Sequence, residues 1–347
     1  MITGRFVLPD DVTLVPVASL PESLRTFAWN DGDVAISRAK SRSASRIVGA
    51  DAAALVREFA TPATIVEAVL RFSRARNEDA EQTLEQAYPI LDALIANGVL
   101  IAEDAPRTRL ASLAIGDAWR DWTVAAIVQV LEGTELYQLQ RGAELAALKL
   151  ADCPRERRVL ARAGDVAPRV LDEDDDFLLL EWIRGVDAKT AATDEGLCAR
   201  IANAFATLHE RGVIHGDVHP RNVLVQRDGS VRLIDFGNAS LDGDAPPRAG
   251  VPFFYEPELA AAMRAAKPSP PPTEAGEQYA VAALLHLLET GRYTHDFSLE
   301  RDELLRQIAE EAPRVDDEVL RRALSKEPAD RYPTMRELAL ALNRWSG

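Results

Sequence analysis

His215-Gly216-Asp217-Val218-His219-Pro220-Arg221-Asn222 runs directly into an apolar stretch, Val223-Leu224-Val225. After a short turn comes Val231-Arg232-Leu233-Ile234-Asp235-Phe236-Gly237. Each apolar stretch reads as a β-strand with a polar cluster at its end. Two such strands place both clusters at one edge of a lobe, so Asp217, Asn222 and Asp235 can converge. That trio suits phosphoryl transfer, which needs a group to orient the attacking hydroxyl and a cage for magnesium on the phosphates. Asp217 supplies the base. Asn222 and Asp235 supply oxygen ligands of the kind a hard cation prefers. Neither cluster is diagnostic alone; together, at this spacing and each flanked by strand sequence, they are specific.

Bulk composition is consistent with such an enzyme and excludes several alternatives. The chain has 347 residues, enough for two or three domains, and 47% of them are hydrophobic. A formal net charge of −15 argues against a general nucleic-acid or anionic-membrane binder, because phosphate neutralisation needs clustered Lys and Arg. The two cysteines, Cys153 and Cys198, make neither a disulfide framework nor a four-ligand zinc site. A reducing cytoplasm fits best. Met1 to Pro9 lacks the basic-then-apolar order of a signal peptide, and no apolar run reaches the length of a membrane-spanning helix.

Outward from the core motif, the chain divides into an N-terminal module (1–105), a small lobe (110–183) and a large lobe (184–347), with Glu103–Arg109 as the first boundary. In the module, Asp33–Val48 reads as a hairpin or extended pair. Helices are expected at Asp51–Phe59, at Thr64–Phe72 with a Thr64/Glu67 capping box, and at Ala80–Ala96 with a stop at Asn97–Gly98. A short strand, Val99–Ile101, closes it, so the module is winged-helix-like. In the small lobe, Val124–Leu131, Glu135–Gln140 and Ala143–Leu150 read as three strands turning at Gly133 and Gly142. Asp172–Asp176, five successive acids, reads as a solvated turn, since adjacent acids in a turn point in different directions. Helical patterning begins at Thr193 with Leu197, Ile201, Ala204, Phe205 and Leu208 on one face. Lys267–Pro272 is a stiff, proline-rich connector.

From Val124 to Leu342 the sequence resembles the protein kinase superfamily, which implies a bilobal α+β fold with a β-rich small lobe and a helical large lobe. The resemblance implies ATP and Mg2+ as cofactors. It makes Lys149, in Ala-Ala-Leu-Lys-Leu, the lysine that holds the α- and β-phosphates, and Glu156 its helix partner, reached abruptly through Pro154. Leu180 becomes the gatekeeper, and the backbones of Glu181 and Ile183 would meet the adenine. Gly250-Val251-Pro252-Phe253-Phe254-Tyr255-Glu256-Pro257-Glu258 looks like the end of an activation segment, with Arg331 expected to form a buried pair with Glu258. Glu277 stands where the family's central large-lobe helix usually has an aspartate.

Departures from the pattern bear on function. The phosphate-covering loop, Val130-Leu131-Glu132-Gly133-Thr134-Glu135-Leu136, retains only Gly133, so fewer backbone amides can approach a phosphate. Glu132 and Glu135 would repel phosphate if they pointed inward. His-Gly-Asp replaces the usual His-Arg-Asp, which removes the local cation that binds a phosphorylated activation loop. Between Asn238 and Gly250, Ser240 is the sole phosphoacceptor, and activity is expected not to depend on it. His219 stands two residues after Asp217, where a lysine is usual, and either touches the γ-phosphate or orients the loop. His-Gly-Asp with that histidine is similar to aminoglycoside- and choline-type kinases, and equally to the kinase domains of lanthipeptide synthetases. The latter resemblance implies a Ser/Thr kinase acting on a ribosomal precursor peptide, with a partner lyase. The N-terminal module resembles precursor-recognition domains, which take a leader peptide as an added strand. If extended, Arg38, Lys40, Arg42 and Arg46 share one face that could attract an acidic leader. A small-molecule kinase and a pseudokinase scaffold are the alternatives.

Overall fold

The computed structural model describes residues 4–20, 29–38, 46–96, 98–105, 111–131, 133–191, 196–241, 244, 248, 250–298 and 301–345. The chain forms two compact units: Met1–Ile115 with Ile127–Glu135, and Gly116–Ala126 with Leu136–Gly347.

The first unit opens with β1 (Arg5–Val7) and β2 (Val12–Pro16), followed by β3 (Val34–Arg38) and β4 (Arg46–Val48). β3 pairs antiparallel with both β2 and β4, as in Val15 with Ala35 and Val34 with Val48. The expected extended pair thus gains β2 as a third strand. Next come α1 (Ala50–Arg57), β5 (Ala63–Thr64), α2 (Ile65–Arg76), α3 (Ala80–Ala96) and β6 (Ile101–Ala102), with β5 and β6 flanking β1 in a second sheet. The capping box starts α2 as expected. Glu67 N–H donates to Thr64 Oγ1 at 3.1 Å, and Thr64 N–H donates to the Glu67 carboxylate at 2.8 Å. The helix outruns Phe72 to Arg76 and ends where Asn77 turns left-handed at φ 57°. Val56, Phe59, Ile65, Val69, Leu91 and Leu94 form this unit's core. Strand β6 begins later than Val99 because the Val99 and Leu100 amides return to the Leu94 carbonyl, at 2.9 and 3.2 Å, and terminate α3 instead. The stop at Asn97, Lys40 and Arg42, and the Arg38 side chain lie outside the described residues.

Further along the chain, β7 (Ala118–Trp119), β8 (Trp122–Leu131), β9 (Thr134–Arg141), β10 (Glu144–Leu150), β11 (Val170–Asp174) and β12 (Phe177–Glu181) make a sheet in the order β11-β12-β10-β9-β8-β7. α4 (Pro154–Ala163) follows β10, with Pro154 in its first turn. The acidic run departs from a simple turn: β11 continues through Asp174 in register with β12, leaving Asp175 and Asp176 as the turn.

The rest is helical. β13 (Val186–Asp187), α5 (Leu197–Glu210), β14 (Val213–Ile214), β15 (Val223–Val225), β16 (Val231–Leu233) and β17 (Ser240–Leu241) precede α6 (Pro257–Arg264), α7 (Glu274–Thr290), α8 (Arg301–Glu310), α9 (Glu318–Ala323) and α10 (Met335–Trp345). Every residue of α7 from Gly276 to Leu287 is buried. A helix buried all round must be surrounded by other elements, and α7 runs through this lobe's core. Arg331 locks the lobe's base. Its guanidinium, 1% exposed, donates to both Glu258 carboxylate oxygens at 3.0 and 2.8 Å and to the carbonyls of Ala275, Ser325 and Lys326. The pairing expected from the sequence is therefore present. This is a mixed α+β, bilobal kinase-like architecture, β-rich in the small lobe and helical in the large. Among the described residues no helix is long and apolar enough to cross a membrane.

Candidate active site

α7 anchors the catalytic loop from below. The Glu277 carboxylate accepts the His215 amide at 3.1 Å and the Gly216 amide at 2.7 Å. It also meets His209 Nε2 at 2.7 Å, while His209 Nδ1 lies 3.3 Å from Glu274. Burial opposes charge on both groups. The two carboxylates nevertheless push the His209 imidazole up to about 9. Burial notwithstanding, His209 and the loop amides hold Glu277 below the usual carboxylate range. The longer side chain of glutamate thus serves the loop's backbone directly.

Gly216 is required by geometry. It sits at φ 75°, and a Cβ there would lie 2.5 Å from the Asn238 carbonyl oxygen. Any side chain would have to displace the 3-10 turn Phe236–Asn238 that follows Asp235, so the missing arginine is a steric necessity of this loop.

Asp217, the candidate base, is 7% exposed. Asp217 Oδ2 accepts from Asn238 Nδ2 at 3.1 Å, and Oδ1 is buried with no hydrogen-bond donor among the described residues. His219 shows how its ring is oriented. Nδ1 accepts the Arg221 amide at 3.2 Å, which assigns the ring proton to Nε2, 3.7 Å from Asp217 Oδ1. That contact favours the loop-orienting role over contact with phosphate.

Asn222 and Asp235 are brought together by the β15–β16 pair. Val223 faces Leu233, and the Ile234 amide donates to the Asn222 carbonyl at 2.9 Å. Asn222 Nδ2 donates to the Asp217 carbonyl at 3.0 Å, which leaves its amide oxygen for a cation. Asp235 adopts a left-handed backbone, φ 66° and ψ 73°, a conformation uncommon for a side-chain-bearing residue and concentrated at functional sites. Its Oδ1 lies 3.9 Å from Lys149 Nζ. No group of three or more His, Cys, Asp or Glu side chains placed to hold a metal occurs among the described residues. The Asn222 amide oxygen and the Asp235 carboxylate are oxygen donors of the kind that would suit magnesium alongside phosphates and water.

Lys149 and Glu156 meet at 2.5 Å, both nearly buried. The short helix entered through Pro154 is sufficient because Glu156 lies in its first turn, directly beside β10. Arg155, on the same turn, donates to the Gly237 carbonyl at 2.6 Å and ties α4 to the Asp235 segment. At the hinge, the Glu181 amide is taken by the Arg169 carbonyl at 2.9 Å, so only the Glu181 carbonyl remains for a ligand. The Glu181 side chain accepts from Arg232 at 3.0 Å. Leu180 and Ile183 are buried beside it. Gly133 belongs to the first compact unit, in a left-handed turn at φ 70°. There Glu135 accepts from Ser112 N–H and Oγ at 3.0 and 2.9 Å, while Glu132 lies outside the described residues. Ser240 is 2% exposed within the β14–β17 pair, which shields it from a phosphorylating partner.

Sequence reading missed Asn238, His209 and Arg155. Asn238 immediately follows the Asp-Phe-Gly triplet, and that adjacency was the available signal. His209 and Arg155 act across long sequence separations and carry no local signature.

Comparison with known proteins agrees with this geometry. The protein kinase domain family matches residues 173–313, and the phosphotransferase enzyme family matches residues 46–242. A probable serine/threonine-protein kinase of Corynebacterium efficiens is 26% identical over 196 residues, covering 48% of this chain and 29% of that protein. Serine/threonine-protein kinase PknH of Mycobacterium tuberculosis is 31% identical over 189 residues, covering 48% and 29%. A probable bifunctional tRNA threonylcarbamoyladenosine biosynthesis protein of Methanothermobacter thermautotrophicus is 39% identical over 88 residues, covering 24% and 16%. The chain thus spans less than a third of the length of these relatives. The phosphotransferase match extends over more than half of this chain and includes Lys149, Glu156, Asp217, Asn222 and Asp235. The protein belongs to the phosphotransferase enzyme family, within the protein kinase-like superfamily.

Proposed function

We propose that the protein is an ATP- and magnesium-dependent Ser/Thr kinase acting on a protein or peptide. The observation that carries this reading is Asp217 Oδ1, a buried carboxylate oxygen without a donor, beside the Asn222–Asp235 pair and the Lys149–Glu156 ion pair. Asn238 and the Glu277-anchored loop hold Asp217 so that Oδ1 orients an incoming hydroxyl and takes its proton. Asn222 and Asp235 would hold magnesium, which neutralises charge on the phosphates. Lys149, aimed by its ion pair with Glu156, would position the α- and β-phosphates. The Glu181 carbonyl and Ile183 backbone would receive the adenine, under Leu180.

The finer reading is a kinase for a ribosomal precursor peptide, working with a partner lyase. Its support is the first unit: a β2-β3-β4 sheet with two edge strands, followed by three helices. An edge strand of this kind can pair with an extended leader peptide, and a winged-helix-like recognition module would have this composition. A second reading, a small-alcohol kinase, is favoured by one observation: the phosphotransferase family match, residues 46–242, covers more of the chain than the protein kinase match, residues 173–313.

Single-turnover transfer from radiolabelled ATP distinguishes them. Wild type, Asp217→Asn and Asp235→Asn would be offered Ser/Thr peptides, a generic basic protein and amino-alcohol acceptors. Label on a peptide hydroxyl, lost in both variants, is the expected result. Label on small alcohols alone would favour the second reading. No transfer and no magnesium-dependent ATP binding would refute both.

A further inference from the structure

One small cavity beside the catalytic aspartate holds charged groups that the described residues leave unsatisfied. It measures about 30 Å³, and its lining includes Asp217, Arg248, Gly250, Tyr255, Glu256 and Thr273. The Arg248 side chain is 10% exposed. Nη2 donates to Glu256 Oε1 at 2.6 Å, but Nε and Nη1 are buried without an acceptor among the described residues. Guanidinium remains charged in proteins, and desolvated donors left unpaired are unfavourable. The pair is nonetheless built into the fold. Glu256 is 4% exposed, and its Oε1 lies 3.0 Å from where a Cβ on Gly276 would stand. Glycine in the first turn of α7 therefore makes room for this carboxylate. Tyr255 Oη donates to the Gly250 carbonyl at 3.1 Å, and Gly250 packs against Asp217 Oδ1.

The residues lining this cavity therefore include Asp217, whose Oδ1 has no donor among the described residues, and Arg248, whose Nε and Nη1 have no acceptor among them. A hydroxyl satisfies the first. An anionic oxygen satisfies the second best, because Glu256 engages one prong of the guanidinium and leaves the rest of the fork open to a charge-assisted bond. The cavity's volume suits oxygen groups rather than side-chain bulk. We propose that Arg248 is a specificity-determining residue, recognising an anionic group, carboxylate or phosphoryl, that the acceptor peptide carries next to the hydroxyl being phosphorylated. This rests on the peptide-kinase reading above.

The test uses the full chain and Ser peptides that differ in one neighbouring residue, placed in turn within two positions of the serine: Asp, phosphoserine, Ala or Lys. Wild type should favour an anionic neighbour over Ala by roughly thirtyfold in kcat/KM, mainly through KM. In Arg248→Gln that ratio should fall to about one. Arg248→Lys, which keeps charge and loses the fork, should retain part of it. Because the readout is a ratio, it survives partial loss of folded protein. The Asp and phosphoserine arms separate a carboxylate from a phosphoryl ligand. Transfer by wild type with no anionic preference at any position would overturn the proposal and leave the kinase reading standing. So would a preference unchanged in Arg248→Gln. No transfer to any peptide, with no ATP hydrolysis, would overturn the kinase reading and this inference with it.

Discussion

Gly216→Ala tests whether the catalytic loop excludes a side chain for the reason its geometry gives. A side-chain-bearing residue in the left-handed region is unfavourable by roughly 1–2 kcal/mol. The new Cβ would also stand 2.5 Å from the Asn238 oxygen, whereas ordinary contact begins at 3.4 Å, so that carbonyl must retreat by about 0.9 Å. Overpacking of this kind adds about 1–3 kcal/mol. The stiffer unfolded chain returns a little under 1 kcal/mol, leaving a net loss of about 1–4 kcal/mol. Gly142→Ala is the control. That glycine is also left-handed, at φ 59°, but nothing lies within 4 Å of its Cβ direction, so only the conformational part should appear, about 1 kcal/mol. Denaturation in urea measures both. Turnover should separate them further. Asn238 donates to Asp217 Oδ2, and a displacement near 1 Å at a catalytic group costs about a hundredfold in rate. Gly142→Ala should keep wild-type turnover. Equal destabilisation of the two variants, with turnover unchanged in Gly216→Ala, would refute the steric argument. Gly216→Arg should fail for the same reason, rather than create an enzyme regulated through its activation loop.

Three further outcomes are expected. Lys149→Met should lower phosphate transfer roughly a hundredfold or more and destabilise the protein by about 3–5 kcal/mol, because Glu156 is left buried and unpaired; Lys149→Met with Glu156→Met should recover stability in denaturation assays without recovering transfer. Arg331→Lys, despite keeping the charge, should destabilise by about 2–4 kcal/mol, since three donors cannot replace five hydrogen bonds in the guanidinium's planar geometry; a melting temperature equal to wild type would contradict this. His209 has its folded pKa raised from 6.5 to about 9, so its contribution is fully present below pH 6.5 and is lost as pH rises to about 9. The loss should amount to about 3 kcal/mol, read from denaturation midpoints across that window, and His209→Gln should flatten the curve.

The sequence carried much of this protein in local pattern. The convergence of Asp217, Asn222 and Asp235 was legible because they sit at the ends of adjacent strands, within one supersecondary unit. The Thr64/Glu67 cap, the β9–β10 turn at Gly142 and the apolar face of α5 were legible for the same reason: each is decided within a few residues. Lys149 and Glu156 were within reach because Pro154 announces the start of the helix that joins them. Tertiary structure decided the rest. Whether Gly216 was a lost arginine or a required glycine depended on the Asn238 carbonyl, 22 positions along the chain. The roles of His209 and Glu277 depended on two helices packing around a common loop, since their meeting raises one pKa and lowers the other. Arg248 carries no local signature in the sequence. Only the burial of its guanidinium against Glu256, in space left by Gly276, made its remaining donors conspicuous. Periodicity and capping are short-range and written in neighbouring letters. Desolvation, steric exclusion and charge pairing act between residues that the chain brings together only when it folds.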